Sequence, residues 1–308
     1  MMINGRSSGL RSRSRIKRVE LAWFIIFISP WALGFIGLVV YPMLASAYFS
    51  FTDYSGLAEP SWIGVTNYVN LIGDPLFWHS VLVTAIFAVA FVVIQLTLGL
   101  GTALLLNLRM PGMRLLRTIY YLPSVLPIAA TSMLWIFLFL PQYGMVDVVI
   151  KLVARVSGPS WLSDPQWALP ALIIMSAWSF GAAMIIFLAG LQVIPKELYE
   201  AVTIDGGGMM TRLIRITIPM VTPQILLNLI LGLVGAFQSF IPSYMMTNGG
   251  PDYATYLYNL SIYDNAFLSF KMGAASAQAW MLFVALLALT AIVLVTSRRW
   301  VYYGGLGI

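Results

Sequence analysis

Glu200-Ala201-Val202-Thr203-Ile204-Asp205-Gly206 stands between two long apolar runs, with Glu197 just before it and Ile216, Ile218 and Pro219 further on. Acids, small residues and glycine at this spacing can make ion pairs, close contacts and a tight turn. They supply no nucleophile. Elsewhere covalent chemistry is also scarce. There are 0 cysteines, so thiolate ligands, disulfides and cysteine nucleophiles are excluded. His79 is the 1 histidine, too few for a histidine metal cluster, and its place at the mouth of an apolar run suits an interfacial or hydrogen-bonded role. No Gly-Lys dipeptide occurs, so no G-x-x-x-x-G-K-[ST] phosphate loop is possible. Nothing resembles a Ser/His/Asp set.

Of the 308 residues 60% are hydrophobic and 9% charged, and the mean hydropathy is +0.88. Soluble domains carry roughly a quarter charged residues, so this is an integral membrane protein. About 20 apolar residues cross the hydrocarbon core as a helix, which satisfies its own backbone there. Six stretches qualify, near 21–44, 80–107, 118–140, 167–191, 223–246 and 273–296. No Asp, Glu, Lys or Arg falls inside the last five. The first is broken by Pro30 and Pro42, and the second is long enough to tilt.

Of the 17 lysines and arginines, all but Lys151, Arg155 and Lys271 fall on one side of these spans. They are Arg6, Arg11, Arg13, Arg15, Lys17 and Arg18 in the tail, Arg109, Arg114 and Arg117, then Lys196, Arg212 and Arg215, and finally Arg298 and Arg299. Asp53, Glu59, Asp74, Asp147, Asp164, Asp252 and Asp264 gather opposite. The positive-inside rule then puts both termini and the Glu200 loop in the cytosol. The net charge of +6 is thus explained by orientation, with no basic patch interleaved with aromatics to suit nucleic acid. Residues 1–20 read as a flexible basic tail before a retained signal-anchor helix, a role in orientation and lipid attraction.

Within the 192–222 loop, Pro195 suits a first helical turn. Glu197 and Glu200 lie near the positive end of the helix dipole. Gly206, Gly207 and Gly208 stop the helix cheaply. Leu198, Ala201 and Val202 make an apolar edge with Tyr199 beside it. Such a helix must be covered, either by the chain's own helix ends or by another protein. Outside, Val146, Val149, Ile150 and Val153 recur at helical spacing around Asp147, Lys151 and Arg155. That pattern fits a short amphipathic helix, a lid over the lipid face in the first reading and a partner's dock in the second.

The Glu200 segment resembles the "EAA" loop of ABC importer permeases, E-A-A-x-x-D-G followed by I-x-L-P. Val202 replaces the second Ala and Ile218 the Leu. Gly64, Asn67 and Tyr68 resemble the family's G-x-x-N-Y. Arg117 through Pro123 resembles R-x-x-x-x-x-P, and Thr247 through Pro251 T-x-G-G-P. Tyr263, Ala266, Phe267, Met272 and Gly273 fit Y-x-x-A-F…M-G. Together they cover roughly residues 20–300 and identify the chain as a member of the permease subunits of binding-protein-dependent carbohydrate importers of maltose, lactose and glycerol-phosphate type.

The resemblance implies an all-α type I importer fold with six transmembrane helices. It implies a first helix and external loop over 21–75, a core over 76–300 and a short cytosolic tail at 301–308. It further implies a second, similar permease, two ATP-binding subunits holding ATP and Mg, an extracytoplasmic solute-binding protein and a sugar substrate in the inner membrane. Residues 195–208 become the coupling helix, seated in the ATPase. On it Glu197, Tyr199, Glu200 and Ala201 face the dock, with Glu200 pairing a basic residue, Ala201 allowing close approach and Val202 adding bulk. Asp205 and Gly206 shape the turn, and Pro219 with Pro223 starts the next span.

A sugar needs hydrogen bonds and aromatic faces, so polar residues on the spans become candidates: Asn228, Gln238 and Ser239 beside Ala236 and Phe237, with Trp178, Ser179 and Gln95. Each is equally suited to joining helices. An ion-coupled secondary transporter is the alternative, though no charged relay lies in the spans. A membrane enzyme would need paired acids or metal ligands at depth, and none is found.

Overall fold

The computed structural model describes the backbone of residues 8–108 and 110–302, and side chains from Glu20 on except Ala22. Arg6, Arg109 and 303–308 of the expected tail lie outside the described residues, as do the side chains of the basic residues from Arg11 to Arg18. Among the described residues the structure is helical, apart from one isolated bridge between Thr52 and Trp62. Helix α1 (Ser8–Phe35) passes through a wide π turn (Ile36–Val40) into α2 (Tyr41–Phe49). Next come α3 (Thr66–Gly73), α4 (Pro75–Leu106), α5 (Met113–Tyr121), α6 (Ile128–Leu138), α7 (Met145–Ala154), α8 (Pro165–Ala177) and α9 (Gly181–Val193). Beyond them lie α10 (Lys196–Ile204), the short α11 (Met209–Arg212) and α12 (Ile218–Met220), α13 (Thr222–Phe237), α14 (Ile241–Met246), α15 (Tyr258–Tyr263) and α16 (Met272–Ser297).

Local chemistry starts two of these helices in the same way. Asp74 and Asp164 each accept a hydrogen bond from the backbone N–H two residues on, at 2.9 Å, and Pro75 and Pro165 occupy the first turn. The carboxylate satisfies a free N–H, and proline has none to waste there.

Three stretches are unbroken and long enough to cross a membrane: Trp23–Phe49, α4 and α16. Three further pairs are bent, by 100° between α5 and α6, 46° between α8 and α9, and 62° between α12 and α13; each pair counted as one span gives 6. α4 is the central post. Of its most apolar stretch 28% is buried, against 0% for Trp23–Phe49 and α16, and it packs chiefly on α9 and α13. Ala103, Leu106, Met184, Phe187 and Leu191 form the core at one end, and Phe87, Phe139, Leu172, Met175 and Leu257 at the other.

Four sequence expectations are corrected. The tail is helical from Ser8, continuous with the first span, because propagating a helix from an existing one avoids the nucleation cost. Pro30 and Pro42 do not break that span; the π turn lies just ahead of Pro42, and such turns accommodate a missing N–H. The third, fourth and fifth stretches are not single rods, and 167–191 bends by 46° where α8 gives way to α9. Leu126 precedes Pro127 and is held extended, as a residue before proline prefers, so 118–140 folds in two. α13 stops at Phe237, and 238–240 are non-helical before α14.

α7 is the fourth, its faces turned relative to the expected stripe. Val146 and Ile150 pack on the core, but Val149 and Val153 are exposed. Asp147 is buried instead. Lys151 pairs with it at 2.6 Å and the Gly158 N–H donates to it, and the lysine bond holds the carboxyl below its usual range. A buried carboxylate needs such partners, and providing them dictates the helix's rotation.

Candidate functional site

Pro195 is the residue immediately before α10, not within its first turn, and its fixed φ of −60° leads the chain out of α9. The nine residues of α10 span about 13 Å. Its C-terminus closes by two bonds, Gly207 N–H to the Val202 carbonyl at 2.8 Å and Gly206 N–H to that of Thr203 at 3.1 Å. This closure requires a left-handed residue, and Gly206 supplies it at φ 74°.

α10 has two unlike edges. Tyr199 and Val202 are half-buried against the core that includes Ile194, Ile216 and Val221. The Tyr199 hydroxyl lies 3.0 Å from that of Thr217, which donates to the Arg212 carbonyl, and Arg212 donates to the Thr203 hydroxyl at 2.7 Å. Val202 therefore packs inward and adds no bulk to an outer edge. The bare edge consists of Glu197, Glu200, Ala201 and Ile204, the last 87% exposed, with Asp205 at its end. Pro219 is half-buried in α12, ahead of the 62° bend, and Pro223 lies in the first turn of α13.

A cavity of about 530 Å³ opens between α4, α9 and α13. Ser179 lies in the break between α8 and α9, and Gln238 and Ser239 in the break between α13 and α14; all three line the cavity. Asn228 and Ala236 line it from α13. Asn228 spends an amide N–H on the Gln224 carbonyl of its own helix, at 3.0 Å. Trp178 and Phe237 are not brought to the cavity. Trp178 stands edge-on to Trp135 at 5.8 Å, and Phe237 packs on the core.

Phe87, Phe91 and Gln95 of α4 form one wall. Phe87 and Phe91 stack at 5.9 Å, and Gln95 Oε1 is buried without a partner. Helical spacing of four, from 87 to 91 to 95, was the available sequence signal for this face. Gly232 admits the Gln95 amide, since a Cβ there would stand 2.8 Å from Oε1. Amides, hydroxyls and aromatic faces in one apolar recess suit a neutral polyhydroxyl ligand.

Bent apolar spans around a recess, with an exposed helix between two of them, define a multi-pass transport protein of the membrane. Residues 95–303 match the family described as binding-protein-dependent transport system inner membrane component, and the chain belongs to it. The probable ABC transporter permease protein YesP of Bacillus subtilis (strain 168) is 38% identical over 304 residues, 97% of each chain. The probable starch degradation products transport system permease protein AmyD of Thermoanaerobacterium thermosulfurigenes is 31% identical over 279 residues, 90% of this chain and 94% of its own. A bacterial ABC transporter involved in alginate import, known from a crystal structure, shares the fold with a TM-score of 0.81 at 22% identity, over 94% of this chain and 99% of that one.

Proposed function

We propose that this chain is the carbohydrate-translocating permease subunit of an ATP-driven importer, coupled through α10 to separate ATPase subunits and taking its sugar from an extracytoplasmic binding protein. Relatives named for carbohydrate transport, such as AmyD with its starch degradation products, support a sugar. The observation that carries the coupling is the two-edged build of α10. Its inner edge is fixed in the core while its outer edge, Glu197, Glu200, Ala201 and Ile204, is bare. Pro195 joins it to α9 and residues 205–221 join it to α13, two walls of the cavity. Pulling on the outer edge would therefore tilt both walls together.

In this reading the loops rich in Lys and Arg, both termini and α10 face the cytosol. Glu200 pairs with a basic residue of the ATPase. ATP and Mg are bound and turned over there, with this chain non-catalytic. A second permease of the same fold completes the cavity, and Gln238, Ser239, Ser179 and Asn228 line the sugar's path. Closure of the ATPases opens the recess outward; hydrolysis returns it inward.

Reconstitution tests this. The purified assembly should contain an ATPase subunit and take up sugar only with ATP, and Glu200→Ala should abolish uptake while the protein stays in the membrane. Uptake driven by a proton gradient without ATP would overturn the reading in favour of ion coupling.

A further inference from the structure

A cavity of about 760 Å³ lies away from the sugar recess, between the loop after α4 and the start of α10. Arg114, Arg117 and Lys196 line it and no acidic residue does. Among the described residues none of the three is in a salt bridge. Arg117 donates to the Leu106 carbonyl at the end of α4, at 2.9 Å, and its Nε is buried without a partner. Asn107 and Gln192 add side-chain amide donors, and Met110, 58% exposed, leaves part of the rim apolar. Three uncompensated cations around one roomy recess repel each other and are stabilised by an anion. A guanidinium anchored by one terminal N–H, with its other terminal N–H groups in no hydrogen bond among the described residues, favours a phosphate oxygen, which accepts from arginine in fixed geometry.

We infer that this recess is a binding site for a phosphate-bearing group, at the base of α10. Its place on the cytosolic boundary rests on the orientation given under Proposed function. Two sources share that chemistry. One is the headgroup of an anionic phospholipid, for which basic recesses between spans at the cytosolic face are suited and which the partly apolar rim would accommodate. The other is a free phosphate or phosphate ester. Tyr199 lines the same cavity and ties α10 to Thr217, so an occupant would stiffen α10 where it meets the bundle.

The test uses the full-length chain in its purified assembly, in nanodiscs. In one arm the discs hold phosphatidylcholine with phosphatidylglycerol, and retained lipid is read by native mass spectrometry. In the other they hold phosphatidylcholine alone, titrated with inorganic phosphate at low salt and read as a melting shift. Saturable retention of phosphatidylglycerol identifies the lipid source, and saturable stabilisation by phosphate in lipid-neutral discs identifies the free one. Each removed cation should weaken binding about five-fold, so Arg114→Gln with Lys196→Gln should lose roughly 25-fold, whereas Arg114→Lys with Lys196→Arg should retain it.

For wild type alone, phosphate should displace phosphatidylglycerol, a readout that needs no variant. Equal binding by wild type and the neutral variant, or no binding in either arm, overturns the inference. So does a carboxylate of an ATPase subunit occupying the recess in a structure of the assembly. ATPase subunits are scored in the same preparation, so their absence would overturn the coupling reading and leave this binding measurement readable.

Discussion

Asn228 satisfies its amide on its own helix, at 3.0 Å from the Gln224 carbonyl, whereas Gln95 presents an Oε1 that no protein group meets. The two residues line one cavity, yet they should respond differently to truncation. Losing a neutral hydrogen bond costs about 1 kcal/mol, roughly a five-fold change in affinity. Gln95→Leu should raise the KM for sugar uptake by about that factor and leave the melting temperature unchanged. Asn228→Ala should lower the melting temperature and, because one amide N–H is already spent on its own helix, raise KM less than Gln95→Leu does. Uptake kinetics and thermal denaturation of the same reconstituted samples separate the outcomes, and an unchanged KM for Gln95→Leu would remove it from the sugar's path. At Gly206 the demand is conformational. A side chain at φ 74° costs about 1–2 kcal/mol, so Gly206→Ala should loosen the end of α10, and Gly206→Asn should do so less because asparagine tolerates that region. Loss of coupled uptake in the order Ala worse than Asn is the expected measurement.

For elements, what could be read from the sequence depends on how local the deciding force is. The span of α10 was legible because Pro195 and Gly206 act on their own neighbours. Its rotation was not: Leu198, Ala201 and Val202 form one apolar edge in sequence, but packing on the core that includes Ile194, Ile216 and Val221 turns only Val202 inward and leaves Leu198 and Ala201 exposed. α7 makes the same point through charge. Its valines suggest an apolar inner stripe, and the bond from Lys151 to Asp147 overrides it. Tyr199→Phe removes the contact with Thr217 and should cost about 1 kcal/mol of stability, without displacing the ATPase subunit, as thermal melts and co-purification would report. Acid should act on α7. The folded Asp147 carboxyl titrates below its unfolded value, so its contribution is full above pH 3.8 and is lost as pH falls through the lowered folded value. Melting of wild type should exceed that of Asp147→Asn at neutral pH and converge with it in acid. A gap that persists after acidification would contradict the assigned pairing.

At the scale of the whole molecule, the number of spans and the family were legible in apolar run lengths and loop motifs, but the recess was not. It lies where two helices break, at 178–180 and 238–240, beside an unbroken α4, and neither break holds a proline, a glycine or a charge that would mark it in the sequence. Apolar runs hide them: 167–191 and 223–246 read as continuous. Ser179 and Ser239, one from each break, are therefore the positions at which alternating access becomes measurable. The chain has 0 cysteines, so Ser179→Cys or Ser239→Cys introduces a unique thiol in this subunit. In the assembly, with native cysteines of the other subunits replaced, a membrane-impermeant maleimide should label these thiols from the cytosolic side without nucleotide. With ATP and vanadate trapping the ATPases closed, labelling should move to the external side, since the reagent needs both water and a path to reach a thiolate. The proposed coupling through α10 makes a further demand on the same experiment. Glu200→Ala should leave the nucleotide-free labelling intact and abolish the switch, because the recess still opens inward but no longer receives the motion of the ATPase. Labelling from one side in both nucleotide states would mean that these breaks do not form a moving barrier, whatever the ATPase does.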